Sequence, residues 1–181
     1  MGTRGLPLLA TTFVLAFTSI GYAQTSVTLT DTSQTTTLTA NVSEQARVTV
    51  PSGVTFTVGN VAASTAAGAA SVSVSNIVLA TATKQFKVSL QANAASFSAP
   101  VGGAITWSAA DVTWNAAAWT NATGAAGTLS NAAYNTVATC VADAADCSTT
   151  ALVFTLGAKG TVRRSGNHTL VVTWKFESIG S

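Results

Sequence analysis

Residues 168–176 read His-Thr-Leu-Val-Val-Thr-Trp-Lys-Phe, which puts Leu170, Val172, Trp174 and Phe176 on one face and Val171, Thr173 and Lys175 on the other. Alternation with period two is the mark of a strand with one buried side. The same pattern runs through 85–91 (Phe86, Val88, Leu90), 53–58 (Val54, Phe56, Val58) and 151–156 (Leu152, Phe154, Leu156). Weaker strands are expected at 26–30, 35–42, 46–50, 71–80, 104–107, 111–114 and 133–139, where Val, Thr, Ile, Phe and Trp suit a pleated surface. Turn residues separate them: Pro51-Ser-Gly53, Gly59-Asn60, Gly102-Gly103, Gly124-Ala-Ala-Gly127 and Ser165-Gly-Asn167.

The alanine-rich stretches 62–70 and 116–126 carry no apolar face with helical period, so no long helix is expected; a short helical turn between Trp114 and Trp119 fits the pattern. Many short strands without helical crossovers predict an all-β, antiparallel, immunoglobulin-like β-sandwich with an N-terminal strand extension. A Thr-Trp pair recurs at Trp107, Trp114 and Trp174, and the spacing of the first two allows a small hairpin or an accident of a threonine-rich chain.

The N-terminus changes what has to fold. Arg4, an apolar run from Leu6 to Ile20 and Gly21-Tyr-Ala23 form a signal-peptide pattern, with cleavage expected after Ala23. The chain then divides into a leader at 1–23, an N-terminal strand and hinge at 24–34, and the sandwich at 35–181. The expected location is secreted, extracellular or at the cell surface, with no membrane span once the leader is removed. Cys140 and Cys147, close together in an exported chain, are expected to form a disulfide.

Charged residues make up only 8% of the chain and the net charge is +2, so no basic footprint for nucleic acid exists. Threonine, serine and asparagine take the surface positions instead. Low charge also weakens the repulsion that keeps copies apart.

Candidate chemistry is sparse. His168, the lone histidine, opens a strand after a turn, and no Gly-x-Ser-x-Gly elbow accompanies it. The carboxylates Asp31, Glu44, Asp111, Asp143, Asp146 and Glu177 form no evident acid–base pair. Asp143 and Asp146 lie between the two cysteines, but without the order of an EF-hand loop. No enzyme activity, cofactor or metal is therefore expected. Trp119, in a polar stretch, is the candidate for an exposed ring that stacks on a sugar, while Trp107, Trp114 and Trp174 read as core or sheet-face residues. Asn41, Asn121 and Asn167 sit in glycosylation sequons.

The start of the expected mature chain, Gln24-Thr-Ser-Val27-Thr-Leu29-Thr30, alternates and is followed by the polar hinge Asp31-Thr-Ser-Gln34. Such an arm either folds back as an edge strand or adds to the sheet of a neighbouring copy; Val27 and Leu29 are the candidate exchange residues. The leader ending Gly21-Tyr-Ala23, the strand at 27–30 and the closing strand at 170–176 resemble bacterial pilin and coat subunits, including fimbrial subunits and the spore coat protein U group. The resemblance implies a non-catalytic subunit assembled at a surface. The chain departs from chaperone–usher pilins in ending Phe176-Glu-Ser-Ile-Gly-Ser181, without a penultimate tyrosine, and in having both cysteines late. The expected function is a self-assembling subunit of a filament, pilus or coat whose partners are copies of itself. The alternative is a carbohydrate-binding module or adhesin that takes a surface polysaccharide through exposed tryptophans.

Overall fold

The computed structural model describes residues 26–30 and 32–180. The leader expected over residues 1–23, with its cleavage site, lies outside the described residues, as does Asp31 of the hinge. The chain divides between Ala40 and Asn41, and every described strand falls in the second unit. Those strands are β1 (Gln45–Thr49), β2 (Thr65–Ala66), β3 (Ala70–Val78), β4 (Gln85–Ala92), β5 (Val112–Trp114), β6 (Ala122–Gly124), β7 (Gly127–Thr128), β8 (Asn135–Cys140), β9 (Cys147–Leu152), β10 (Phe154–Leu156) and β11 (Val172–Ile179). The short helical turn that the pattern allowed between Trp114 and Trp119 does not form; among the described residues a 3-10 turn lies earlier, at Ala109–Asp111.

The fold is all-β and built from antiparallel pairs. Three sheets run in the orders β1-β3-β9, β2-β10-β5-β7 and β11-β4-β8-β6. The first two follow one chain path, since β9 ends at Leu152 and β10 begins at Phe154. Val72, Val74, Leu152 and Phe154 from these sheets share one core with Val88, Leu90 and Val137 from the third, which makes the arrangement sandwich-like. Along one side the layers are joined by chain: β6 in one and β7 in the other are separated only by Ala125 and Ala126. That side requires glycine. A Cβ on Gly124 would stand 2.2 Å from the Ala117 carbonyl oxygen, and one on Gly127 would stand 2.3 Å from Trp114 Cζ2. Gly124→Ala is expected to cost about 1–3 kcal/mol through backbone displacement, read as a lower midpoint in urea unfolding.

Alternation places most of the strands correctly. Phe86, Val88, Leu90 and Ala92 of β4 are buried, as are Ala70, Val72 and Val74 of β3. Asn76 then adopts φ 52°, and an irregularity in the β1–β3 register falls at this point. The extra residue of a bulge switches the inward phase, so Ile77 and Leu79 turn toward the core instead of Asn76 and Val78.

Several expectations are corrected. Residues 26–30 and 35–42 enter no ladder. Residues 53–58 keep their alternation, with Val54, Phe56 and Val58 packed on the core, but 51–58 make no backbone hydrogen bond among the described residues. Pro51 has no N–H to donate and ends the β1 pairing. Residues 104–107 form no strand; the Trp107 carbonyl accepts from the Phe97 N–H, and the isolated bridge beside it joins Ser96 to Ser108. The Thr-Trp hairpin does not form, because Val112–Trp114 pairs with β10 and β7. The closing strand starts at Val172, later than its pattern suggests, and 151–156 breaks at Val153.

Candidate groove between two free strand edges

On the side opposite β6 and β7, both layers end in strands that have one edge unpaired among the described residues. There β1 pairs only with β3, and β11 pairs only with β4. Between them lies a groove of about 370 Å³. Ala46, Val48 and Leu79 line it from one layer, and Phe86 and Phe176 from the other. Phe176 stacks on Phe86 at 6.0 Å and on Trp174 at 6.5 Å, so an aromatic row follows the inner face of β11. Phe176 and Trp174 are half-buried, while Val88 and Leu90 on the adjacent strand are fully enclosed. An open apolar groove bordered by two strand edges that are unpaired among the described residues is suited to take an extended strand.

Glu44 closes one end. Its Oε1 accepts from the Ala80 N–H (2.7 Å), from Lys84 Nζ (3.0 Å) and from Ser178 Oγ (3.2 Å). The Ala80 N–H and then Lys84 hold its carboxyl below the ordinary glutamate value. On β11 itself, Glu177 is held low by Lys175 and then Lys87, its partners in ion pairs. The groove rim is thus polar and its floor apolar.

The candidate exchange residues lie in a segment that presents its apolar side chains to solvent. Val27 is 45% and Leu29 93% exposed, and further along Leu38 is 91% exposed. Neither residue is paired in a strand.

Trp119 is half-buried and packs on the core. Its Cδ1 lies against Gly124, and its indole N–H is enclosed without an acceptor among the described residues. The ring therefore does not stand out as a flat stacking platform. Trp107 and Trp114 are buried, donating to the Gly157 and Ala125 carbonyl oxygens.

His168 is half-buried rather than exposed. Its Nδ1 is 2.7 Å from Thr106 Oγ1 and its Nε2 3.1 Å from the Arg164 carbonyl oxygen, and it meets the Trp107 ring edge-on. Nδ1 ties His168 to the 96–108 segment, while Nε2 closes the 164–168 turn on itself. Asp111 accepts from Lys159 Nζ at 2.8 Å and from the Ser108 N–H and hydroxyl. Partial burial works against its ionisation, but Lys159 and Ser108 outweigh that and keep the carboxyl low.

Cys140 and Cys147 are bonded to each other and buried in the core. A disulfide is consistent with an extracellular location. Asp146 accepts from Asn121 Nδ2 at 3.1 Å, and no cluster of three metal-binding side chains occurs among the described residues. No described helix is long and apolar enough to cross a membrane.

Sequence reasoning missed the groove and Glu44. The groove exists because strands distant in sequence stop pairing on the same side, which periodicity does not encode. The nearest signal was Leu79, whose inward position depends on the bulge at Asn76.

No family model, no curated protein and no solved structure matches the chain.

Proposed function

We propose that this protein is an exported, non-catalytic structural subunit that assembles with copies of itself into an extracellular filament or coat. The arm around Val27 and Leu29 of one copy adds as a strand to the groove between β1 and β11 of the next. The observation that carries this reading is the groove itself: an apolar slot between two free edges, in a chain that also has an exposed, alternating apolar segment.

The dimensions and chemistry agree. A strand rises about 3.3 Å per residue, so residues 26–30 span about 17 Å, within the roughly 27 Å edge of the eight-residue β11. Asp31 is the lone charged residue between Gln24 and Ser43, so the arm enters an apolar slot with little charge to desolvate. Burying Val27 and Leu29 supplies about 1.5–3 kcal/mol each, and the strand edges add main-chain hydrogen bonds. Because donor and acceptor are different surfaces, the contact is head to tail and propagates instead of closing. The two-layer order is read here as an immunoglobulin-like sandwich, of the kind that the resemblance to pilin and coat subunits implies.

The test is negative-stain microscopy of the purified chain beside a sizing-column profile over a range of concentrations. Elongated polymers that grow with concentration are expected. A chain that stays monomeric at the highest concentration sinks the reading.

A further inference from the structure

Glu44 stands where three segments meet. It immediately precedes β1, it accepts from the β3–β4 turn through the Ala80 N–H and Lys84, and it reaches the end of β11 through Ser178. The two banks of the groove belong to different layers, and no ladder joins β1 to β11. At this end of the groove their separation is held by side chains, and all three hydrogen bonds converge on one oxygen of Glu44.

We propose that Glu44 is the positioning residue of the groove: its carboxylate fixes the spacing of β1 and β11 and so sets how firmly the arm of a second copy is held. The inference rests on the assembly by strand addition described above and concerns its control. A strand lying between two edges must match both, and an edge free to drift away forfeits main-chain hydrogen bonds along its length.

The hold depends on charge. The carboxylate form accepts from an ammonium and an amide N–H, and such bonds are stronger than neutral ones. The groups around Glu44 are Lys84 from the turn and Glu177 on β11, which is itself engaged by Lys87 of β4 and by Lys175. Arg47 of β1 is exposed and joins no ion pair among the described residues. Glu44 has its carboxyl held below the ordinary value of 4.5, so its contribution is complete above 4.5 and is lost as the pH falls through the lower value of the folded protein.

The experiment uses the full chain and a fluorescently labelled synthetic peptide of residues 24–42, added in excess and then diluted, with release followed over time. Glu44→Gln is expected to release the peptide about three- to tenfold faster, corresponding to part or all of one 1.4 kcal/mol step. Ser178→Ala, which cuts only the tie to β11, should accelerate release by a smaller factor. In the unaltered chain release should quicken as the pH falls below 4.5, and in Glu44→Gln that acid limb should shrink to the part that Glu177 contributes. Unchanged release rates in both variants, or an acid limb of undiminished size in Glu44→Gln, overturn the proposal. A purely structural role would lower the unfolding midpoint of Glu44→Gln and leave release and its pH profile alone. If the unaltered chain never retains the peptide, assembly by strand addition itself fails, and the role of Glu44 falls with it.

Discussion

A chain carrying both Val27→Asp and Leu29→Asp is expected to elute as a monomer at concentrations where the unaltered chain forms polymers, with the same urea midpoint as the parent. Both side chains are exposed, at 45% and 93%, so the folded domain loses little when they change. The incoming strand, by contrast, would have to place two carboxylates among Leu79, Phe86 and Phe176. An unpaired buried charge costs several kcal/mol, more than the burial of two aliphatic side chains contributes. Leu38→Asp is the informative companion. Leu38 is equally exposed, but it lies beyond the hinge and outside the segment assigned to the groove. Polymers that survive Leu38→Asp and vanish in the double variant locate the donor at 26–30. From the acceptor side, Val48→Asp should also dissolve polymers, since Val48 lines the groove from β1. Loss of polymer in none of these variants would remove the groove as the point of contact.

The second large effect concerns stability. Leu90→Ala is expected to lower the unfolding free energy by about 2–5 kcal/mol, seen as a reduced midpoint in chemical denaturation with an unchanged slope. Leu90 has no exposed surface and sits at the centre of β4, the strand that carries β11 on one side and β8 on the other. Its register partner on β11 is Trp174. The lost isopropyl group leaves a cavity that the strands on either side, fixed by their ladders, cannot collapse to fill. A drop below 1 kcal/mol would mean that the two layers repack freely around Leu90. The aromatic row of Trp174 and Phe176 would then not be the fixed wall that strand addition requires.

The sequence by itself determined the class of fold. Period-two alternation with Gly, Pro and Asn between the runs leaves an apolar face that only sheet packing can bury, and β3, β4, β8 and β11 follow from it with ends displaced by a few residues. It also determined the disulfide, because two close cysteines behind a signal-peptide pattern have few other uses. What it could not determine is which strand has a partner. Residues 53–58 carry the same alternation as β4, yet they remain outside every ladder, because side-chain pattern reports which face is buried and backbone pairing depends on what lies alongside. Trp119 has the sequence context of an exposed ring but folds against Gly124, whose missing side chain makes room for it. The alternation of residues 26–30 and 35–42 was legible, but they enter no ladder among the described residues. The groove that could receive an arm of this kind was not, because it is made where β1 and β11, far apart in the chain, end opposite layers on the same side. Its closure by Glu44 depends on three contacts between 36 and 134 residues away in sequence. Local pattern sets which surfaces must be buried; only the tertiary arrangement decides which of them are left over.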